Sequence, residues 1–195
     1  MSRHVLLAEP LSAVVMLAAL ALSPAPLSSV DEPPAQRAEV VVADSALPNG
    51  ASSINEAYGD WVVACKRVED KKTCTFSQLH TNNQTGQPVF AIEFQPPADG
   101  RTNSVILLPF GLRLDDGVTL KIDGQPLEPG ARFLTCFPSG CLVPIAFPTA
   151  ATDAMKDGEK LIVGANSSGE GEPMTFTISL NGFTAALSRI MALSK

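Results

Sequence analysis

The chain has few aromatic and few charged residues, and its composition argues against a helical bundle and against a disordered chain. Aromatic residues make up 6% and charged residues 17% of the 195 residues, and there are 16 prolines. The prolines argue against a helical bundle, because proline interrupts a helix interior. Hydrophobic residues still reach 45%, which is more than a disordered chain carries. We therefore expect a globular, turn-rich protein of one domain with appendages.

The common motifs of enzymes are missing from the sequence. It contains no GxSxG elbow, HExxH helix or Walker loop. Beyond the N-terminal region the only histidine is His80, so a serine or cysteine nucleophile has a single candidate base. The adjacent carboxylates Asp115 and Asp116 precede a glycine in a stretch that a turn explains. We predict that the protein is not an enzyme and has no catalytic, cofactor-binding or metal-binding residues.

The net charge of −6 is unevenly distributed along the chain. Residues 26–57 hold one basic residue against five acidic ones, whereas residues 58–195 hold 12 against 14. The larger part is nearly neutral and offers no basic stripe that could neutralise a phosphate backbone. We therefore expect no nucleic-acid partner.

The N-terminus has the order of a secretory signal peptide. Arg3 gives a basic start, the stretch Leu11–Leu22 is apolar, and small residues and prolines follow. The apolar stretch is shorter than the roughly 20 residues that span a bilayer. We predict a cleaved signal peptide over residues 1–25, with a retained N-terminal anchor as the alternative. The mature chain would then be periplasmic or secreted and would have no transmembrane span.

A linker is predicted between the signal peptide and the folded part. Residues 26–57 are rich in proline, alanine and acidic residues, and their one apolar cluster is the triplet Val40–Val42. Such a segment cannot bury enough apolar surface to offset the entropy lost on ordering it. We predict a flexible acidic linker over residues 26–57 and a folded domain over residues 58–195.

From residue 58 onward, apolar and polar residues alternate with the period of a β-strand. Clear examples are Phe90–Phe94, Val118–Ile122 and Met174–Leu180, each flanked by turn-forming residues. Weaker segments bring the predicted total to about nine strands: Asp60–Lys66, Thr73–His80, Ser104–Leu108, Arg132–Thr135, Cys141–Ala146 and Lys160–Ala165. Many short antiparallel strands predict a mainly β fold, namely an antiparallel, jelly-roll-like β-sandwich.

Two helices are predicted beside the strands. The first covers about residues 149–157, where Thr149 or Thr152 can cap the start and Gly158 can end the helix. The second is a C-terminal helix over residues 183–193. One face of it carries four apolar residues at helical spacing: Phe183, Leu187, Ile190 and Met191. We expect this face to pack on the sheet.

All four cysteines lie in the predicted domain: Cys65, Cys74, Cys136 and Cys141. In an oxidising compartment an even count predicts two disulfides, and four cysteines allow three pairings. We favour the local pairs, Cys65 with Cys74 and Cys136 with Cys141, although the sequence does not decide between the three. The spacings lack the CxxC pattern typical of zinc sites and catalytic dithiols.

Three aromatic residues are candidates for a ligand-binding surface: Tyr58, Trp61 and Phe137. Their rings could stack on a sugar. A buried core position is the competing interpretation for Trp61, the only tryptophan. The ligand interpretation gives an alternative function, a periplasmic small-molecule or glycan-binding module.

An ordered set of segments resembles the invasion-associated locus B family of Gram-negative bacteria. The segments are Tyr58–Trp61 (YGDW) leading to Cys65, Cys74 with Gln78, Pro109–Leu112 (PFGL), Asp116–Leu120 (DGVTL) with Ile122 and Asp123, Cys136–Cys141 (CFPSGC) and Leu180–Leu187 (LNGFTAAL). They extend over about residues 58–190, which is nearly the whole predicted domain.

The resemblance implies a secreted or periplasmic β-sandwich protein of the cell envelope. In some pathogens such proteins are associated with the outer membrane and with entry into host cells. The family has no assigned catalytic residues. The implied function is therefore that of an exported, non-enzymatic, virulence-associated envelope protein. It would act on a protein or cell-surface partner that the sequence does not identify, and it could associate peripherally with the outer membrane.

Overall fold

The computed structural model describes residues 47–69, 71–81, 84, 88–169 and 172–195. The predicted signal peptide and the predicted linker up to residue 46 lie outside these residues. Within them the chain forms eleven strands and two α-helices. The strands are β1 (Ser53–Tyr58), β2 (Trp61–Val68), β3 (Lys71–Thr81), β4 (Pro88–Phe94), β5 (Arg101–Leu108), β6 (Val118–Ile122), β7 (Gln125–Ala131), β8 (Thr135–Phe137), β9 (Gly140–Pro148), β10 (Lys160–Ala165) and β11 (Met174–Ser179), and the helices are α1 (Thr149–Asp157) and α2 (Phe183–Leu193).

The strands form two sheets whose neighbouring strands are all antiparallel. The larger sheet has the order β1-β2-β3-β4-β5-β9-β8, and the smaller one has the order β11-β10-β6-β7. They pack face to face, as the Phe90 ring of β4 contacts the Phe176 ring of β11 at 5.4 Å between centroids. The predicted antiparallel β-sandwich with two helices is confirmed.

Among the described residues, one face of the seven-stranded sheet is covered by another layer and the other face is not. We call the face that packs on the smaller sheet and the helices the inner face, and the opposite one the outer face. Strand β5 shows the alternation, since Thr102, Ser104, Ile106 and Leu108 are buried while the residues between them are exposed or half-buried. This period of two is the sequence signal from which the strands were predicted.

Aromatic side chains form the centre of the core on the inner face. The Trp61 ring lies 5.4 Å from the rings of Phe76 and Phe183 and 5.7 Å from that of Phe94. Its Nε1–H donates a hydrogen bond to the Ser179 carbonyl at 3.0 Å. Since Phe183 is the first residue of α2, this cluster fixes the helix on the sheet.

Both disulfides are local. Cys65 bonds to Cys74 between β2 and β3, and Cys136 bonds to Cys141 between β8 and β9. Each pair lies directly opposite in the strand register, which brings the two sulfurs within bonding reach. Cys65 and Cys74 are buried, whereas Cys136 is exposed at the sheet edge.

Both helices form at the predicted residues, but two details of the prediction are wrong. Neither Thr149 nor Thr152 caps α1, because the N-cap is Pro148 without a side-chain bond. The Thr149 hydroxyl instead donates to the Gly100 carbonyl, and the Thr152 hydroxyl donates to Thr102 Oγ1 on β5. In α2, Met191 is 48% exposed, because it lies at the margin of a stripe formed by Phe183, Ala186, Leu187, Ile190 and Leu193.

The folded part begins before residue 58. Strand β1 and the buried side chain of Leu47 both fall in the predicted linker, so the linker prediction is wrong over residues 47–57. Strand β7 was also missed, and the predicted strand Arg132–Thr135 is not a strand before Thr135. The alternation of apolar and polar residues did not reveal β1, because the charged Glu56 occupies an inward position. It did not reveal β7, because two prolines interrupt the pattern there.

Candidate functional site

The three aromatic residues predicted as a ligand surface do not form one site. Trp61 is 0% exposed, so its ring cannot stack on a ligand, and the prediction is wrong for this residue. Tyr58 lies on β1 and Phe137 on β8, which are the two opposite edge strands of the seven-stranded sheet. At about 4.8 Å per strand, these edges are roughly 29 Å apart.

Tyr58 belongs to a polar network under α2. Arg189 of the helix donates from Nε and Nη2 to the two carboxylate oxygens of Glu56, at 2.7 and 2.8 Å. The Tyr58 hydroxyl donates to the same carboxylate at 2.9 Å. These hydrogen bonds, that of Arg189 first, lower the pKa of Glu56, while the bond to Glu56 raises the pKa of Tyr58. The network attaches α2 to β1.

A serine, an aspartate and a histidine come together beside the Trp61 cluster, but not as a catalytic triad. The Ser179 hydroxyl donates to Asp60 Oδ2 at 2.6 Å. His80 hydrogen-bonds through Nε2 to Gln78 Oε1 at 2.7 Å, and its ring stacks on Phe90. In a triad the serine hydroxyl donates its hydrogen bond to the histidine, whereas here the Ser179 hydroxyl donates to the Asp60 carboxylate.

Gln78 explains why these polar residues are held together. Its carboxamide donates to the Ser179 carbonyl at 3.1 Å and accepts from the Ser179 N–H at 3.0 Å, as a neighbouring strand would. The two bonds to Ser179 fix which terminal atom of the Gln78 carboxamide is the oxygen. An amide oxygen can only accept, so His80 Nε2 is the donor in the contact with Gln78 Oε1. The arrangement closes the edge of β11 at Ser179 and is structural.

The turn after β1 and the turn before α2 are in backbone contact. The Asp60 N–H donates to the Asn181 carbonyl at 3.1 Å. Both turns contain a glycine with positive φ, Gly59 at +58° and Gly182 at +88°. A Cβ at Gly59 would lie 2.6 Å from the Asn181 oxygen, and one at Gly182 would overlap the Tyr58 carbonyl. Only glycine fits at these two positions.

The outer face of the seven-stranded sheet carries several exposed apolar side chains. Five of the ten large apolar residues that are exposed in the described chain project from it: Val62, Leu79, Val89, Val105 and Phe137. Leu79 is the most exposed on the central strands, at 58%. The strand register aligns it in a row across four strands, Leu79–Ala91–Leu107–Leu142.

The other half of the outer face is polar and concave. Three adjoining concavities of about 480, 570 and 420 Å³ run across it from β1 to β9. The first two share Thr73, Thr75 and Glu93, and the last two share Gln95 and Asn103. They are open to solvent and lie beside the apolar row. The outer face therefore combines an apolar row with a polar margin, which is the usual anatomy of a protein interface.

Metal and membrane features can be assessed only for the residues that the structure describes. In this part of the chain no three side chains of the metal-ligating types converge. Neither of its helices has the length and hydrophobicity needed to cross a bilayer.

A family model describing the invasion associated locus B (IalB) protein matches residues 61–191. The chain belongs to the invasion associated locus B family. An invasion protein B homolog of Brucella abortus is 42% identical over 151 residues, covering 77% of this chain and 87% of the relative. Invasion protein B of Bartonella bacilliformis is 29% identical over 187 residues, covering 95% and 98%.

A solved structure of this family agrees with the fold. The crystal structure of invasion associated protein B from Bartonella henselae matches with a TM-score of 0.66 and 32% identity, covering 72% of this chain and 97% of that one. The names of these relatives describe invasion proteins and not enzymes. Membership of the invasion associated locus B family and the two disulfides agree with an exported protein.

The segments that carry the family resemblance lie mainly at structural positions. Trp61 and Gln78 are buried, and Gly59 and Gly182 form the contact between two turns. Sequence reasoning missed the outer face, where no predicted residue except Phe137 lies. One sequence signal pointed to this face. Leu79 is apolar, yet it takes an outward position on β3, a strand whose inward positions are already filled by apolar or paired residues.

Proposed function

We propose that this protein is an exported, non-enzymatic envelope protein that binds a protein partner through the outer face. The observation that carries the proposal is the apolar row Leu79–Ala91–Leu107–Leu142 with exposed apolar neighbours, which no described segment covers and which lies beside a polar margin. Large exposed apolar patches on a soluble domain are typical of interaction sites. The names of the relatives support a partner on the surface of a host cell.

The shape of the outer face favours a protein over a small molecule. Small ligands bind in concave sites that enclose most of their surface. The concavities of this face are open, and the apolar row beside them extends across four strands. The glycan-binding alternative depended on stacking aromatic rings, and Trp61 is buried.

Export and disulfide formation belong to the same proposal. Two disulfides are typical of proteins from an oxidising compartment, and the N-terminal sequence has the order of a signal peptide. The intact mass of the protein from fractionated cells tests this part. We expect a periplasmic or secreted chain that is shorter by about 25 residues and takes up a thiol label only after reduction. A full-length cytosolic chain with reactive thiols would refute it.

The binding role is tested with labelled protein and intact host cells. We expect saturable binding that protease treatment of the cells abolishes and that Leu79→Lys weakens at least tenfold. Met191→Lys is the matched control, because Met191 is 48% exposed on α2, away from the outer face, and it should bind like the wild type. Equal binding of wild type and Leu79→Lys would exclude the outer face as the interaction site.

A further inference from the structure

In the described part of the chain, strand β1 has one edge that no other strand pairs with. Two observations show which residues of β1 are hydrogen-bonded to β2. The turn between Tyr58 and Trp61 has two residues, and the Arg67 N–H donates to the Ser52 carbonyl. In this arrangement the backbone groups of Ser53, Asn55 and Ala57 point away from β2. Within the described part of the chain no strand lies on that side, since β1 ends the sheet.

The other edges of the two sheets are short or obstructed, and the edge strand β8 has only three residues. The Leu134 N–H donates to the Leu142 carbonyl, so the backbone groups of Leu142 point away from β5. Every second residue after Leu142 points the same way, and two of these residues, Pro144 and Pro148, have no N–H to donate. Strand β7 contains Pro126 and Pro129. Gln78 occupies the N–H and carbonyl of Ser179 at the edge of β11. Natural proteins obstruct free edges in these ways to prevent pairing. In the described chain β1 contains no proline, and its one charged side chain, Glu56, is paired with Arg189.

We propose that two copies of this chain associate through antiparallel pairing of their β1 strands about a two-fold axis at Asn55. The axis places Asn55 opposite Asn55 of the second copy, and Ser53 opposite Ala57. About six backbone hydrogen bonds would form, two for each pair of facing residues. The two seven-stranded sheets would become one continuous sheet that presents two outer faces side by side.

The side chains of β1 fit a second copy of the same strand. Those on the outer face are small or neutral, namely Ser53, Asn55 and Ala57, and two facing carboxamides can donate to and accept from each other. On the inner side the register places Glu56 opposite Ile54 of the second copy. Glu56 already has its charge paired with Arg189, so the interface would contain no unpaired carboxylate.

Engineered cysteines test the register. In the described chain all native cysteines are in disulfides, so an added one is the single free thiol. Facing residues of a hydrogen-bonded pair have Cα atoms about 5.5 Å apart, within the range of a disulfide. We expect Asn55→Cys to give a covalent dimer on mild oxidation. Ser53→Cys is the control and should stay unlinked, because its counterpart would lie roughly 14 Å away. Equal linking of both variants, or no linking of Asn55→Cys, would overturn the proposal.

Solution mass tests the association itself, with the protein purified as its host cell processes it. We expect the wild type and Asn55→Ala to dimerise with a Kd of about 1 to 100 μM, and Asn55→Pro to stay monomeric. Since the Asn55 N–H faces outward, proline in both copies removes only the two bonds between the facing Asn55 residues and none to β2. Ser53→Pro repeats the test if Asn55→Pro does not fold. A wild type that is monomeric at about 500 μM would overturn the proposal. Leu79→Lys should dimerise normally, which separates this inference from the proposed binding site.

Discussion

The two faces of the seven-stranded sheet are formed by the same strands but differ in what their side chains do. On β3 the inward residues Cys74, Phe76 and Gln78 are buried, bonded or packed against another layer. The outward residues Ser77 and Leu79 have no layer above them in the described chain. The difference shows that burial in the core and exposure to solvent fall on alternate residues of one sequence, so substitutions one position apart should have unlike effects on stability.

Removal of Trp61 should have the largest effect, because it lies at the centre of the inner face. Trp61→Ala deletes a ring that contacts three phenylalanines, and it leaves the Ser179 carbonyl with one donor fewer. We expect the free energy of unfolding to fall by about 3 to 5 kcal/mol, measured by urea denaturation. A loss below about 1 kcal/mol would contradict the assignment of this face to stability.

The glycines at the contact of the two turns provide a second large effect. Gly182→Ala should cost about 2 to 4 kcal/mol, because the new Cβ meets the Tyr58 carbonyl and φ is +88°. Gly124→Ala is the matched control, with φ +87° and no atom within 4 Å of the new Cβ. It should cost about 1 kcal/mol, from backbone conformation alone. Equal losses in thermal unfolding would mean that the contact between the turns adds no constraint.

The sequence predicted most strands because burial on one face imposes a period of two, and it failed where another factor replaces burial. In β1 the inward Glu56 is stabilised by Arg189, which is 133 residues away in sequence. In β7 the prolines are tolerated because the strand is a sheet edge. The candidate site could not be predicted, since the row that includes Leu79 and Leu107 is defined by register between strands, which a single strand does not reveal.

The two disulfides differ in burial, because both cysteines of the first pair are buried and only one of the second pair is. Replacing Cys65 and Cys74 by alanine removes a loop closure and buried side-chain contacts on the inner face, and we expect a loss of about 3 to 5 kcal/mol. Replacing Cys136 and Cys141 should cost about 2 to 3 kcal/mol, since the closed loop is shorter and only Cys141 of this pair is buried. Urea denaturation of the two double variants gives the comparison. The reverse order would mean that β8 contributes more to the fold than its exposure suggests.

The network of Glu56 and Arg189 should have a moderate, pH-dependent effect. The pKa of Glu56 is lowered in the folded state, so its ionised form stabilises the fold above its unfolded pKa, and this stabilisation is lost as pH falls through the folded pKa. Both side chains are about one-third exposed, so Glu56→Gln should cost about 0.5 to 1 kcal/mol at pH 7. The melting temperatures of variant and wild type should converge in acid. A constant difference across pH would show that the carboxylate charge is not involved.

Truncation of Leu79 should have the smallest effect on stability and therefore makes the sharpest contrast with Trp61. The side chain is 58% exposed and has no covering layer, so Leu79→Ala should change the free energy of unfolding by less than about 0.5 kcal/mol in urea. A loss above about 1.5 kcal/mol would show that the outer face contributes to the fold and would remove the argument for a binding role. A negligible loss would mean that folding does not require an exposed leucine at this position. Its place in a row with Ala91, Leu107 and Leu142 would then stay compatible with the proposed contact with another protein, which the binding assay tests directly.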